Sequence, residues 1–103
     1  MSTVRNNKRH TAETEIVEKA LKTQFSDVEA YRYNSASIRV RIIDERFNNK
    51  SLTTREKMVL PIIRQLPEET QADITVLLLI PPEEATVSMM NTEFEHPSPS
   101  LTL

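Results

Sequence analysis

The stretch DVEAYRYNSASIRVRIID, residues 27–44, decides how this chain folds. Residues 27–33 alternate in character, residues 37–44 do the same, and NSAS between them supplies a short turn; the pattern predicts an antiparallel hairpin. Successive side chains of a strand point to opposite faces. In the second arm Ile38, Val40 and Ile42 therefore share one face, and Arg39 and Arg41 share the other. In the first arm Val28, Ala30 and Arg32 oppose Glu29, Tyr31 and Tyr33. One sheet face is apolar and requires helices over it. The other gathers Tyr31, Tyr33, Arg39 and Arg41 and is expected to meet solvent.

Working outward, Thr11 can cap a helix over about residues 12–25, in which Ile16, Val17, Ala20, Leu21 and Phe25 fall on one face at helical spacing. Glu13 and Glu15 suit its first turn, where the positive end of the helix dipole lies. Downstream, Phe47 plugs the core beneath a loop. A second helix then starts with Ser51 or Thr53 as cap, and Glu56 stands where a capping box from Thr53 would place it. Leu52, Val59, Ile62, Ile63 and Leu66 form its buried stripe, and Pro61 predicts a kink or a break. A helical turn is expected from Pro67. The apolar run at residues 74–80, ITVLLLI, reads as a strand that is central or covered on both sides, although a buried helix has the same signature, and PPEEATVSMMN after it reads as a last helix. The order α-β-β-α-(α)-β-α predicts an α+β two-layer sandwich. Its three-stranded mixed sheet has the last strand parallel to the second, the type II KH-like topology. Residues 11–91 form the single domain, and residues 1–10 and 92–103 read as disordered tails.

Composition excludes several function classes. The 103 residues contain neither cysteine nor glycine. Thiolate nucleophiles, disulfides and zinc–sulfur or iron–sulfur ligation by this chain are ruled out, as are glycine-rich phosphate loops. Asn34, Asn48 and Asn49 become the candidates for left-handed backbone positions. The two histidines, His10 and His96, lie near opposite ends, so no imidazole accompanies a Ser or Thr nucleophile in the body, and no enzymatic activity is expected. A net charge of −2 argues against bulk attraction to nucleic acid. No run approaches the roughly 20 apolar residues of a membrane span, and a cytoplasmic location is expected.

Two surfaces emerge as candidates. Arg46, Lys50, Arg55 and Glu56 cluster around the start of the second helix and make a partner-binding surface. The bland reading gives Arg55 a covered stem and an ion pair with Asp44 or Glu45. Tyr31, Tyr33, Arg39 and Arg41 make an alternative nucleic-acid-binding face, rings for stacking and cations for phosphates, although paired tyrosines on a strand also arise from sheet packing. The KH manner of holding a nucleic-acid backbone is closed to this chain, because it needs a G-x-x-G loop.

The segment IRVRIIDERFNNKSLTTREKMV, residues 38–59, resembles the BolA-like family: an apolar strand, F-x-G-x-S, then an Arg-His pair and a small apolar stripe. Phe47, Lys50, Ser51, Leu52, Arg55 and Val59 match in place, and ITVLLLIPPEE is similar to the family's last strand and the segment after it. The likeness covers residues 15–84. It implies a small non-enzymatic adaptor or regulatory protein that binds a protein partner, in that family a monothiol glutaredoxin sharing an iron–sulfur cluster. Two departures bear on that role. Asn49 replaces the glycine, and Glu56 replaces the cluster-binding histidine, while the loop that holds the family's other His or Cys ligand is NSAS. The scaffold is kept and the standard cluster ligands are lost, so no cofactor is expected.

Overall fold

The computed structural model describes residues 8–99. Its elements are α1 (Ala12–Leu21), β1 (Asp27–Asn34), β2 (Ser37–Ile43), a 3₁₀ turn (Glu45–Phe47), α2 (Leu52–Ile63), α3 (Glu68–Asp73), β3 (Ile74–Ile80), α4 (Pro82–Ala85) and α5 (Met89–Glu95). The fold is α+β, with one sheet in the order β1-β2-β3. The hairpin forms as its alternation demands: β1 is antiparallel to β2, with Ala30 opposite Val40 and Tyr31 opposite Arg39. β3 runs parallel to β2, setting Val40 beside Leu77 and Ile42 beside Leu79.

Local chemistry accounts for the helix starts. Thr11 caps α1 reciprocally: Thr14 N–H donates to Thr11 Oγ1, and Thr11 N–H donates to Thr14 Oγ1 at 2.8 Å. Ser51 caps α2 by accepting from Thr54 N–H at 3.2 Å. With Leu52 as the first helical residue, Thr53 already lies inside the helix. The capping box expected between Thr53 and Glu56 is thus replaced by the Ser51 cap.

The apolar face of the sheet packs on α1 and α2. Val17 and Leu21 of α1, Val59 and Ile63 of α2, and Leu66 beyond it meet Val28, Ala30, Ile38, Val40, Ile42 and Leu79. Phe47 is fully buried beneath its loop, stacked on Phe25 at 5.8 Å. Two expected stripe residues stand outside this core: Ile16 is 45% exposed and Leu52 61%. Leu52 is the first residue of α2, before the helix has turned its apolar side toward the sheet. The break expected at Pro61 does not occur. Pro61 lies in the last turn of α2, and Arg64 N–H still donates to Leu60 O at 2.9 Å. Only the bond to the carbonyl of solvent-exposed Lys57 is forfeited.

Three further expectations are corrected. β3 is an edge strand and not a central one, and it is covered on both faces only over Leu78, Leu79 and Ile80, while Ile74 to Leu77 are partly or fully exposed. The second sheet face is not open. α5 lies across it, and Phe94, only 2% exposed, closes a small second core with Tyr31, Leu78 and Ile80. Accordingly the chain from Thr92 does not begin a tail: α5 runs on to Glu95, because alternation on β1 and β3 leaves a ring and two aliphatic chains there to be covered. At the other end Arg9 bridges to Arg32 of β1, with backbone bonds of 3.2 and 2.7 Å, so ordered chain starts before residue 11. The remaining tail expectations, for residues 1–7 and 100–103, lie outside the described residues.

Candidate functional site

The predicted partner surface lies where the parallel strands β2 and β3 end. Asp44 accepts from Arg46 N–H at 2.8 Å, capping the 3₁₀ turn, and its carboxylate also takes the Arg46 guanidinium at 2.8–3.0 Å. These Arg46 hydrogen bonds hold the Asp44 carboxyl below its ordinary range. The same guanidinium donates to Gln24 O at 2.6 Å and lies 4.6 Å from the Phe25 ring. The chain then reverses. Asn48 (φ −62°, ψ 136°) and Asn49 (φ 61°) have the backbone of a type II turn closed by Lys50 N–H to Phe47 O at 3.2 Å. Of the three candidate asparagines, Asn49 alone takes the left-handed conformation.

Arg55 reads differently from expectation. Asp44 is engaged by Arg46, and the Arg55 fork closes instead on Glu84 of α4, at 3.1 and 2.9 Å. Its Nη1 also donates to Leu79 O at 2.9 Å and its Nε to Lys50 O at 3.0 Å. One side chain thus ties the start of α2 to the end of β3, to α4 and to the preceding loop. Hydrogen bonding to Arg55 holds the Glu84 carboxyl below its ordinary range. Asn48 Nδ2 reaches Glu83 at 3.3 Å and joins the loop to the same helix.

The four predicted partner residues therefore divide. Arg46 and Arg55 are committed to internal pairs. Lys50 is exposed, beside exposed Leu52 and Thr53. Half-buried Glu56 lines a cleft of about 370 Å³ between α2, α3 and β3, with Leu60, Gln71 and Thr75. Thr75 in turn hydrogen-bonds Ser37, the last residue of the NSAS segment. The cleft thus presents the Glu56 carboxylate and the Thr75 hydroxyl, and in the NSAS turn Asn34 Oδ1 accepts from Ala36 N–H at 2.9 Å. Hard oxygen donors do not fit sulfur-bridged iron. Among the described residues no three His, Cys, Asp or Glu side chains converge as a metal-ligand group.

The other four predicted residues come together as the register requires, but beneath α5. Tyr31 is fully buried, its hydroxyl donates to Phe94 O at 2.8 Å, and burial pushes its phenol up. The Arg39 guanidinium stacks 3.6 Å from the Tyr33 ring and donates to Glu93 at 3.0 Å. Arg41 donates to Asn91 Oδ1 at 2.8 Å, pairs with Glu95 at 3.2 Å and Glu29 at 3.3 Å, and lies 4.8 Å from the Phe94 ring. Lys8 reaches Glu29 at 2.8 Å and Glu95 at 3.9 Å, 5.3 Å from the Tyr31 ring. Tyr33 donates to Ser98 O. Ser98 N–H, Arg39 and Ser98 Oγ together hold the Glu93 carboxyl below its ordinary range.

Sequence reasoning missed Lys8, Asn91, Glu93, Phe94, Glu95 and Ser98 on this face. The available signal was the acid–ring–acid order EFE within a proline- and serine-rich end. Comparisons of the chain with protein-family models, curated proteins and solved structures give no match. No helix among the described residues is long and apolar enough to cross a membrane.

Proposed function

We propose that this chain is a non-enzymatic BolA-like adaptor that binds a protein partner through the turn and helix start at residues 47–56. The observation that carries this reading is the Phe47–Lys50 turn with Asn49 at φ 61°. Only glycine or asparagine takes that conformation readily, and it falls where the resembled family places its glycine. The element order and the parallel pairing of β3 with β2 agree with the same scaffold. Within the surface, Lys50, Leu52 and Thr53 face solvent and supply contact, Glu56 borders it, and Arg46 and Arg55 hold its shape. A monothiol glutaredoxin is the implied partner. The contact is protein to protein, since Glu56 and the NSAS loop offer no soft donor to a shared iron–sulfur cluster.

Calorimetric titration of an apo monothiol glutaredoxin tests this. A Lys50→Glu/Leu52→Asp variant should weaken binding at least tenfold with thermal stability unchanged, because both side chains lie outside the core. Equal affinity of wild type and variant, or no binding by the wild type, contradicts the proposal.

A further inference from the structure

The face under α5 has a composition that sheet packing alone does not require. On β1, Tyr31 and Tyr33 are two residues apart and therefore on the same side; Arg39 stands opposite Tyr31, and Arg41 opposite Glu29. Lys8 closes the margin. Aromatic rings set among cations on a sheet are the chemistry that receives single-stranded nucleic acid, bases on the rings and phosphates on the cations.

α5 occupies this face in a corresponding manner. Phe94 covers Tyr31 with ring centroids 4.8 Å apart and planes tilted by 58°, filling the space that a base would take on that ring. Glu93 meets Arg39, and Glu95 meets Arg41 and Lys8, so carboxylates take the positions phosphates would take on either side of the ring. The fit leaves donors over: Nε of Arg39 and of Arg41 is buried with no acceptor among the described residues. The opposite side of α5 is not held, with Met89 87% and Met90 61% exposed. Val87, 79% exposed, sits in the short connection to α4 that would act as the hinge.

We propose that Tyr31, Tyr33, Arg39, Arg41 and Lys8 form a single-stranded nucleic-acid site that the chain's own α5 masks as an internal mimic. Nucleic acid is favoured over an acidic peptide because the rings lie in line along a strand and can stack successive bases. Such a site escapes detection in the net charge, since the mimic's own carboxylates neutralise it.

The test is fluorescence anisotropy of a labelled twelve-nucleotide oligothymidine with the full chain, from 50 to 200 mM salt. Phe94→Ala, which opens the face without altering charge, should bind at least fivefold more tightly than wild type. With three cations engaged, the logarithm of its affinity should fall against log salt with a slope of about −2. Adding Tyr33→Ala should remove at least fivefold of that affinity, the scale of one lost stacking contact. Should Phe94→Ala fail to fold, Glu93→Gln/Glu95→Gln serves as the opening variant, with Glu68→Gln/Glu69→Gln on α3 as its charge-matched control. Equal affinities of wild type and opened variant, a gain matched by the α3 control, or binding indifferent to Tyr33→Ala overturns the proposal. So does an opened face that takes the peptide NTEFEHPS and not the oligonucleotide.

Discussion

Asn49 is the residue on which the loop at 47–50 turns. A left-handed backbone costs an ordinary L-residue about 1 kcal/mol or more, and asparagine less. Asn49→Gly should therefore leave stability within a few tenths of a kcal/mol, whereas Asn49→Ala should lower it by about 1 kcal/mol in urea denaturation. Equal midpoints for the two variants would contradict the turn. The absence of glycine pointed to asparagine, yet could not choose among Asn34, Asn48 and Asn49. That choice required the Lys50–Phe47 bond, which depends on Phe47 being anchored in the core. Arg55 shows the complementary limit. Its covered stem was legible from its place on the α2 stripe, but its partner was not, because Glu84 lies twenty-nine residues onward and reaches it only once β3 has paired with β2. For the same reason Arg55→Ala is a poor probe of a partner surface: it frees Leu79 O and Glu84 as well as changing the exterior.

Among the elements, α5 was the least legible. At seven residues it is far below the roughly 12–15 at which an isolated helix becomes even marginal, so its conformation depends on docking. Burying Phe94 contributes about 2–3 kcal/mol. Each ion pair to the 40–43% exposed Glu93 and Glu95 adds less than about 1 kcal/mol. The ring therefore holds the helix and the charges set its position. Local periodicity over so short a segment, flanked by proline and serine, carries almost no signal, and only the sheet face tells it where to fold. α1 was legible for the opposite reason, since its cap, acidic first turn and apolar spacing agree.

Docking of α5 should also respond to acid. The Glu93 carboxyl titrates in the folded state below its ordinary value of 4.5, held first by Ser98 N–H and then by Arg39. Its stabilising contribution is complete above that ordinary value and is lost as pH falls through the depressed one. Glu29 and Glu95 also face the cluster of Lys8 and Arg41. Hydrogen-exchange protection factors of α5 should thus fall by more than those of β2 as the pH is lowered below about 4.5, and Glu93→Gln should flatten the difference. Protection of α5 that tracks β2 throughout would contradict the assignment.

Over the whole molecule, alternation in one hairpin decided the architecture. It placed Val28, Ala30, Ile38, Val40 and Ile42 in the core, and it set Tyr31, Tyr33, Arg39 and Arg41 on the reverse side. What alternation cannot specify is what lies over each face, and so the reverse side read as open until Phe94 was placed on it. Nor does it say which strand is central: the run at Ile74–Ile80 is apolar enough for either position, yet parallel pairing with β2 leaves it at the edge. For function the sequence offered a choice of surfaces and a set of expected exclusions. The central proposal is that this chain, which resembles the BolA-like family but has no cysteine and has Glu56 where that family has its histidine, acts by contact alone. Its most direct measurement is visible circular dichroism of a monothiol glutaredoxin carrying its iron–sulfur cluster, titrated with this chain. The account predicts association by light scattering or calorimetry with the cluster spectrum unchanged; a new spectrum of a shared cluster, saturating at a fixed ratio and lost in Glu56→Gln, would contradict it.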